Sequence, residues 1–214
     1  MARKTTAAGV KKRGSYHHGN LKEALLQAAA KRIGESQEFD FRLRDLAEDC
    51  GVQLAACYRH FGAKSDVLVE LARRGFVALE AALAALPADE DPARALAELG
   101  AAYVTFAVEA PVAYLAMFHP ALAHPGVHAE LDEAAGRTLL ELRAAVVRAL
   151  GKAGDARTVD RVVFQAWAGV HGYASLLVSR DRERATPLVE QAATKKAILA
   201  YTEMLTRGML APSR

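Results

Sequence analysis

The stretch that decides the fold runs between two phenylalanines and reads Phe41-Arg-Leu-Arg-Asp-Leu-Ala-Glu-Asp-Cys-Gly51-Val-Gln-Leu-Ala-Ala-Cys-Tyr58-Arg-His-Phe61. Its pattern predicts a short helix over about residues 43–50 and a second over about residues 54–60. Gly51 stands where helices commonly end in a left-handed conformation that glycine adopts readily. Two short helices joined by such a turn form a helix-turn-helix, whose second helix can lie in the major groove of DNA.

The rest of the chain also has helical periodicity, with no alternating pattern of a strand. The sequence therefore predicts an all-α fold of nine helices, with a three-helix head, a long fourth helix and a helical body. The first helix is expected near residues 20–34 and the fourth near 64–86. The five body helices are expected near residues 91–109, 112–118, 127–150, 156–179 and 186–208. Two of them begin with a capping residue and a proline, at Asp91-Pro92 and Thr186-Pro187.

Basic residues concentrate in the part of the chain that holds the motif. Residues 1–75 carry 14 Lys and Arg against 9 Asp and Glu, whereas residues 76–214 carry 14 against 16. Because neutralisation of phosphates dominates the affinity of proteins for DNA, this asymmetry favours a DNA partner. Residues 1–15 hold five basic and no acidic residues. They are expected to be a disordered arm, which either touches DNA or is solvated as a tail.

Several other classes of protein do not fit the sequence. No run of about 18 apolar residues occurs, so no membrane partner is expected, and no apolar stretch of a signal peptide follows the basic start. Two cysteines, Cys50 and Cys57, are too few for a disulfide framework and predict a cytoplasmic protein with reduced thiols. His119, His124 and His128 lack partners at metal-binding spacing, so neither a metal nor a cofactor is expected. No catalytic constellation is present, so the sequence does not predict an enzyme.

The head resembles a known family over about residues 16–76. The residues that carry the resemblance are Tyr16-His-His-Gly-Asn-Leu at the first helix and, in the motif, Gly51-Val, Ala55-Ala56, Tyr58-Arg-His-Phe61 and Lys64. They resemble the tetracycline repressor-like (TetR) family of bacterial one-component transcriptional regulators. In the body, Phe164-Gln-Ala-Trp167-Ala-Gly-Val-His171-Gly172 resembles the Trp-His-Gly signature of one subgroup. The rest of the body resembles the family only in its helical pattern. The head departs from the family pattern at Arg42, Gln53 and Cys57.

The resemblance implies three segments and a set of DNA contacts. The segments are a basic arm at 1–15, a DNA-binding domain at 16–76 and an effector-binding and dimerisation domain at 77–214. Tyr58, His60 and Lys64 would bind phosphates, and residues 53–56 would face base edges or thymine methyls. The alternative for Arg59 is a solvent-facing charge. The expected DNA-binding residues are Arg42, Arg44, Gln53, Leu54, Ala55, Ala56, Tyr58, Arg59, His60 and Lys64.

Two further sets of residues are expected in the body. Aromatic and sulfur side chains would line an apolar ligand cavity, although each could equally be ordinary core. The expected lining residues are Tyr103, Phe106, Tyr114, Met117, Phe118, Phe164, Trp167 and His171. Glycines in the eighth helix would let the ninth helix and a second subunit approach closely; the alternative is packing within one chain. The expected dimer-interface residues are Gly169, Gly172, Ile198, Thr202, Leu205 and Met209.

The function that the resemblance implies is repression of transcription. A homodimer would bind a palindromic double-stranded DNA operator, and a small-molecule effector in the body would release it through the fourth helix. One alternative is an all-helical small-molecule-binding protein or enzyme with an incidental helix-turn-helix. Another is an architectural DNA binder without an effector, although a head alone would suffice for that role.

Overall fold

The structure is a computed structural model that describes residues 21–122, 128–179 and 186–211. Within these ranges all regular structure is helical, which confirms the predicted all-α class. The α-helices are α1 (Leu21–Ser36), α2 (Leu43–Asp49), α3 (Leu54–Cys57), α4 (Lys64–Ala84), α5 (Pro92–Glu109), α6 (Pro111–Met117), α7 (Ala129–Leu150), α8 (Ala156–Val178), α9 (Thr186–Ala192) and α10 (Lys195–Leu210). Short 3-10 helices follow α6 and α7, at Pro120–Leu122 and Gly151–Ala153. The expected basic arm, the resemblance at residues 16–20 and His124 lie outside the described residues.

The prediction of nine helices was wrong, because the expected ninth helix is two helices, α9 and α10. The break falls at Thr194, whose hydroxyl donates to the carbonyl of Gln191 (3.0 Å) and accepts from the backbone N–H of Ala197 (3.2 Å). Thr194 therefore caps the start of α10, a role that threonine commonly has. The described residues thus contain ten α-helices.

The helix-turn-helix forms where it was predicted, with a shorter second helix. At Arg42, the residue that caps α2, the backbone N–H donates to the carboxylate of Asp45 (2.7 Å). Gly51 has a φ of +66°, so the turn uses the left-handed conformation that favours glycine. Helix α3 ends at Cys57, and residues 58–60 continue as a turn in which the N–H of His60 donates to the Cys57 carbonyl (2.9 Å).

The head packs around one apolar core that α4 shares with the body. Side chains from each of the first four helices are buried in it, among them Leu25, Leu46, Cys57 and Val67. At the other side of α4, Gly75 meets α6 so closely that a Cβ there would lie 2.7 Å from Met117 Cγ. The first helix also contacts α6. The short helix α6 therefore lies directly against the head.

The body is organised around α5, which packs against α4, α6, α7, α8 and α10. Its Gly100 allows a close approach of both α8 and α10: a Cβ there would lie 3.1 Å from Val170 Cγ1 and 3.3 Å from Thr202 Cγ2. Helices α8 and α10 also contact each other, with the rings of Tyr173 and Tyr201 stacked at 4.3 Å.

Within the described ranges, no single helix has both the length and the apolar character that crossing a membrane requires. The pair α5 and α6 reaches that composition jointly, but the two helices are bent by 107° relative to each other.

Candidate DNA-binding surface and ligand cavity

The second helix of the motif presents a solvent-facing surface on a buried support. Gln53 and Ala55 are exposed, and so are the three residues of the turn that follows α3, Tyr58, Arg59 and His60. Leu54 and Ala56 are half-buried. Cys57 and Phe61 are 0% and 3% exposed and anchor the segment in the head core. Tyr58 is 55% exposed, so its ring and hydroxyl are accessible to a partner molecule.

Two arginines stand at the start of α2, and both are exposed. The Arg42 guanidinium pairs with the Asp45 carboxylate at 3.2 Å. That hydrogen bond is the main cause that lowers the pKa of Asp45, and it raises the pKa of Arg42. Arg42 is therefore held over the first turn of α2, and Arg44 is exposed within that same turn.

Lys64 has a more buried position than the sequence suggested. Its ammonium donates to the backbone carbonyl of Phe39 and lies 5.0 Å from the ring centroid of Phe41. The side chain is thus directed at the segment between α1 and α2. An ammonium has three N–H donors, so this bond leaves two for a phosphate. The phosphate contact of Lys64 stays a prediction.

Cys50 and Cys57 are both buried, and no disulfide joins them. Burial raises the pKa of the Cys57 thiol, and the nearby Cys50 raises it further. Since the thiolate is the reactive form, Cys57 is a packing residue of the head.

A cavity of about 270 Å³ lies in the body, lined by α4, α5, α7, α8 and α10 and by Phe118, the residue that follows α6. Its walls are mainly aliphatic and aromatic, as is common for small-molecule sites. The lining residues are Phe76, Leu79, Leu83, Leu96, Leu99, Gly100, Tyr103, Phe118, Ala135, Gly136, Thr138, Leu139, Leu142, Ala166, Trp167, Val170, Thr202, Leu205, Thr206 and Met209. Leu139 and Trp167 are 49% and 41% exposed, so they mark the opening of the cavity to solvent between α7 and α8.

Three of the eight residues predicted to line a ligand cavity do so: Tyr103, Phe118 and Trp167. Tyr114, Met117 and Phe106 are buried but do not line the cavity. The half-buried His171 does not line it either. The prediction for Phe164 was wrong, because its side chain is 65% exposed on the outside of α8. Phe164 precedes Trp167 by three positions and so lies about 60° from it around the helix, but only Trp167 reaches the cavity.

A cluster of polar side chains supports the aromatic wall from behind. The hydroxyls of Tyr103 and Tyr114 each lie 3.0 Å from Nδ1 of His171, and the Tyr114 hydroxyl lies 2.8 Å from Oγ of Ser175. The Phe118 ring contacts the imidazole edge-on at 4.5 Å. Burial lowers the pKa of His171 and raises the pKa of Tyr114, so both groups are neutral near pH 7. The cluster fixes the orientation of the rings that face the cavity.

Five of the six residues predicted at the dimer interface pack inside the chain instead. A Cβ at Gly169 would lie 2.5 Å from Leu205 Cδ2, and the Tyr201 hydroxyl donates to the Gly169 carbonyl (3.1 Å). Ile198, Thr202 and Met209 are buried. Thr202, Leu205 and Met209 line the cavity. The small size of Gly169 therefore serves contact between α8 and α10 of one chain, which was the alternative interpretation. Gly172 alone of the six is exposed.

Gly172 belongs to an exposed surface that we call the α8/α10 outer face. It contains four residues of α8 and three of α10. Within each helix these residues are four positions apart, so they lie on one side of it. Phe164, Leu176 and Met204 are 65%, 70% and 57% exposed. The face consists of Phe164, Ala168, Gly172, Leu176, Ala200, Met204 and Gly208, all exposed.

The sequence signals for these sites were of unequal quality. The polar residues 58–60 that follow α3 are exposed, and their position at the end of the motif is visible in the sequence. The cavity walls of α4 and α7 include Leu79 and Leu142. Such residues carry no sequence signal of a cavity, because core positions and cavity positions have the same residue types.

Comparison with known proteins agrees with this architecture. Residues 96–198 match the family model described as "Tetracyclin repressor-like, C-terminal domain". No curated protein sequence matches the chain. Among solved structures, a protein with unknown function from a Rhodococcus species is 28% identical, with a TM-score of 0.71, and the alignment covers 92% of this chain and 98% of that chain.

Two further structures have the same fold at lower identity. The TetR family transcriptional regulator PfmR from Thermus thermophilus is 23% identical, with a TM-score of 0.62 and coverage of 86% of this chain and 94% of that chain. A TetR variant from Acinetobacter baumannii in complex with minocycline is 18% identical, with a TM-score of 0.57 and coverage of 87% and 94%.

A helix-turn-helix head joined by one long helix to a helical body defines a DNA-binding transcriptional regulator. The body matches the tetracycline repressor-like C-terminal domain over residues 96–198, and the whole chain has the fold of TetR family regulators. The Trp167-His171-Gly172 likeness to one subgroup stays a prediction.

Proposed function

We propose that this chain is a homodimeric transcriptional repressor that binds a palindromic DNA operator and is released by a small-molecule effector. The observation that carries the proposal is the exposure of Gln53, Ala55, Tyr58, Arg59 and His60 on a segment anchored by the buried Cys57 and Phe61. A rigid support with exposed hydrogen-bonding and cationic side chains is what a groove-reading helix requires. The half-buried Leu54 and Ala56 would offer small apolar contacts to thymine methyls.

The α8/α10 outer face supports the homodimer. Its two rows of exposed apolar and small residues lie on α8 and α10, which contact each other. Glycines at positions 172 and 208 leave room for another backbone, because a Cβ at either would meet no atom within 4 Å. Two copies of the face related by a two-fold axis would bury Phe164, Leu176 and Met204 in a four-helix arrangement. Such a dimer would present two recognition helices about 34–36 Å apart to adjacent major grooves.

Helix α6 supports a connection between the cavity and the head. Phe118, at its end, lines the cavity, while Met117 packs against Gly75 of α4. At the start of α6, Val112 Cγ2 lies 3.5 Å from the position of a Cβ on Gly34 of α1. A ligand that displaces Phe118 would therefore move groups in contact with two helices of the head. The effector acts in this proposal by favouring a dimer whose recognition helices no longer match the groove spacing.

The experiment that tests this function starts with selection of binding sites from random double-stranded DNA. We expect a palindromic sequence bound with an affinity that falls steeply with salt, since phosphate contacts release counterions. A triple variant, Gln53→Ala, Tyr58→Ala and Arg59→Ala, should lose the selected sequence while keeping the helical content of the parent. Failure to enrich any sequence at low salt would contradict the proposal and favour a helical small-molecule-binding protein.

A further inference from the structure

The cavity walls carry no charged group. Among the described residues that line the cavity, none is Asp, Glu, Lys, Arg or His. An ion moved from water into such a space without a counter-charge loses its hydration and gains no partner. The walls therefore disfavour a ligand whose charge would lie inside the cavity.

Most polar groups in the walls are already bonded within the protein. The hydroxyl of Thr202 donates to the Leu199 carbonyl (3.0 Å), and that of Thr138 donates to the Ala134 carbonyl (3.3 Å). The Tyr103 hydroxyl lies 3.0 Å from Nδ1 of His171. These bonds leave few donors and acceptors for a ligand.

Thr206 differs from the other two threonines of the cavity wall. Its side chain is buried, at 4% exposure, and it lines the cavity. Among the described residues its hydroxyl makes no hydrogen bond, whereas the hydroxyls of Thr138 and Thr202 each donate to a backbone carbonyl. Since every fully buried side-chain nitrogen and oxygen of the described residues has a hydrogen-bond partner, the unbonded Thr206 hydroxyl is accessible from the cavity space. Thr206 is thus placed to bond a ligand.

We propose that the cavity binds an uncharged, largely apolar molecule whose polar group, a hydroxyl, amine N–H or carbonyl, pairs with the hydroxyl of Thr206. The proposal rests on the proposed function and gives the chemical class of its effector. The apolar body of the ligand fills the space between Leu79, Leu99 and Leu142. Its polar group meets α10, the helix that carries part of the outer face.

A glycine in the wall provides a way to fill the cavity without a clash. Gly136 lines it from α7, and a Cβ there would meet no atom within 4 Å. A leucine at this position would occupy ligand space, and it would also favour the helix over glycine. Ala144, exposed on the same helix and absent from the cavity walls, is the matched control position.

The test compares two fluorescent probes that share one aromatic skeleton. N-phenyl-1-naphthylamine is neutral, and 8-anilino-1-naphthalenesulfonate carries a sulfonate. We expect saturable binding of the neutral probe to the full chain at one site per chain, and binding of the sulfonate roughly tenfold or more weaker. Gly136→Leu should lower the affinity for the neutral probe by more than about tenfold, whereas Ala144→Leu should leave that affinity unchanged. Thr206→Val should lower it by about two- to tenfold, because the isosteric change removes only the hydroxyl.

Equal affinity for the two probes, or unchanged binding of the neutral probe to Gly136→Leu, would overturn the assignment. Binding of the selected DNA by the same variants keeps the two proposals separate. If the probe results fail while the parent still binds its operator, the ligand class is wrong and repression stands. If the neutral probe binds as expected but no operator exists, the cavity assignment stands and the regulatory function fails.

Discussion

Gly75 of the long helix α4 packs closely against Met117 of the short helix α6. A Cβ on Gly75 would lie 2.7 Å from Met117 Cγ, 2.9 Å from Met117 Sδ and 3.1 Å from the carbonyl oxygen of Ala113. Because one of these atoms belongs to the backbone, a side-chain rotation cannot relieve all the crowding. The absence of a side chain at Gly75 therefore sets the distance between α4 and α6, the helix that precedes the cavity-lining Phe118.

We expect Gly75→Ala to destabilise the fold by about 1–3 kcal/mol in urea unfolding, because α4 and α6 must separate. The matched control is Gly136→Ala, also in a helix, where the added methyl meets no atom within 4 Å. That control should raise the unfolding free energy by up to about 1 kcal/mol. A stability of Gly75→Ala equal to that of the control would show that the two helices adjust freely.

Acid should weaken the attachment of α1 to α4. Glu70 accepts hydrogen bonds from Arg73 and Arg74, and Arg74 also donates to Glu23 of α1 (2.6 Å). The hydrogen bond from Arg73 is the largest cause that lowers the pKa of Glu70 from 4.5 to about 2. A carboxyl with a lowered pKa in the folded state contributes stability above its unfolded pKa, and this contribution is lost as the pH falls toward about 2.

The measurement is the free energy of unfolding of the parent and Glu70→Gln between pH 7 and 3. We expect the variant to be less stable by about 1–3 kcal/mol at pH 7 and to approach the parent as the pH falls. Glu109→Gln is the control, since Glu109 is 65% exposed and lies 4.0 Å from Lys195. If the difference in unfolding free energy between Glu70→Gln and the parent were the same at all pH values, ionisation of Glu70 would not contribute to the pH dependence of stability.

The sequence predicted the head better than the body for a physical reason. In the head, Gly51 and the spacing of Leu43, Leu46 and Cys57 are local signals of a turn and of a buried helix face. In the body, Phe164 and Trp167 are both aromatic residues of one helix, yet the first is exposed and the second lines the cavity. Which side of α8 faces inward depends on its contacts with α5 and α10, which no short stretch of sequence encodes.

The two glycines of α8 illustrate the same limit. Gly169 and Gly172 both interrupt a helix, and the sequence assigned both to a dimer interface. The structure separates them, because Gly169 is in contact with Leu205 and Gly172 has no atom within 4 Å of a Cβ. The break at Thr194 was missed because residues 186–208 keep helical periodicity across it, and only the capping bonds of Thr194 reveal the new start.

The exposed arginine that follows α3 gives a direct test of the DNA-binding surface. We expect Arg59→Ala to weaken operator binding by about 1–2 kcal/mol and to lower the salt slope by about 1, as loss of one phosphate contact would. The control is Arg157→Ala, an exposed arginine at the start of α8. Affinity is measured at several salt concentrations. Equal slopes for the parent and Arg59→Ala would mean that Arg59 faces solvent in the complex.

Variants of the two α8 glycines distinguish packing within one chain from packing between two chains at the α8/α10 outer face. Gly172→Arg would add a long cation to this face without touching the rest of its own chain. We therefore expect a monomer in sedimentation velocity at micromolar concentration, with unchanged helical content and weaker operator binding. Gly169→Ala should instead lower the free energy of unfolding, because Leu205 must move, and it should leave the dimer intact. Leu140→Lys controls for an added charge at an exposed apolar site, since Leu140 is 65% exposed on α7. A dimer that persists in Gly172→Arg would contradict an interface on this face.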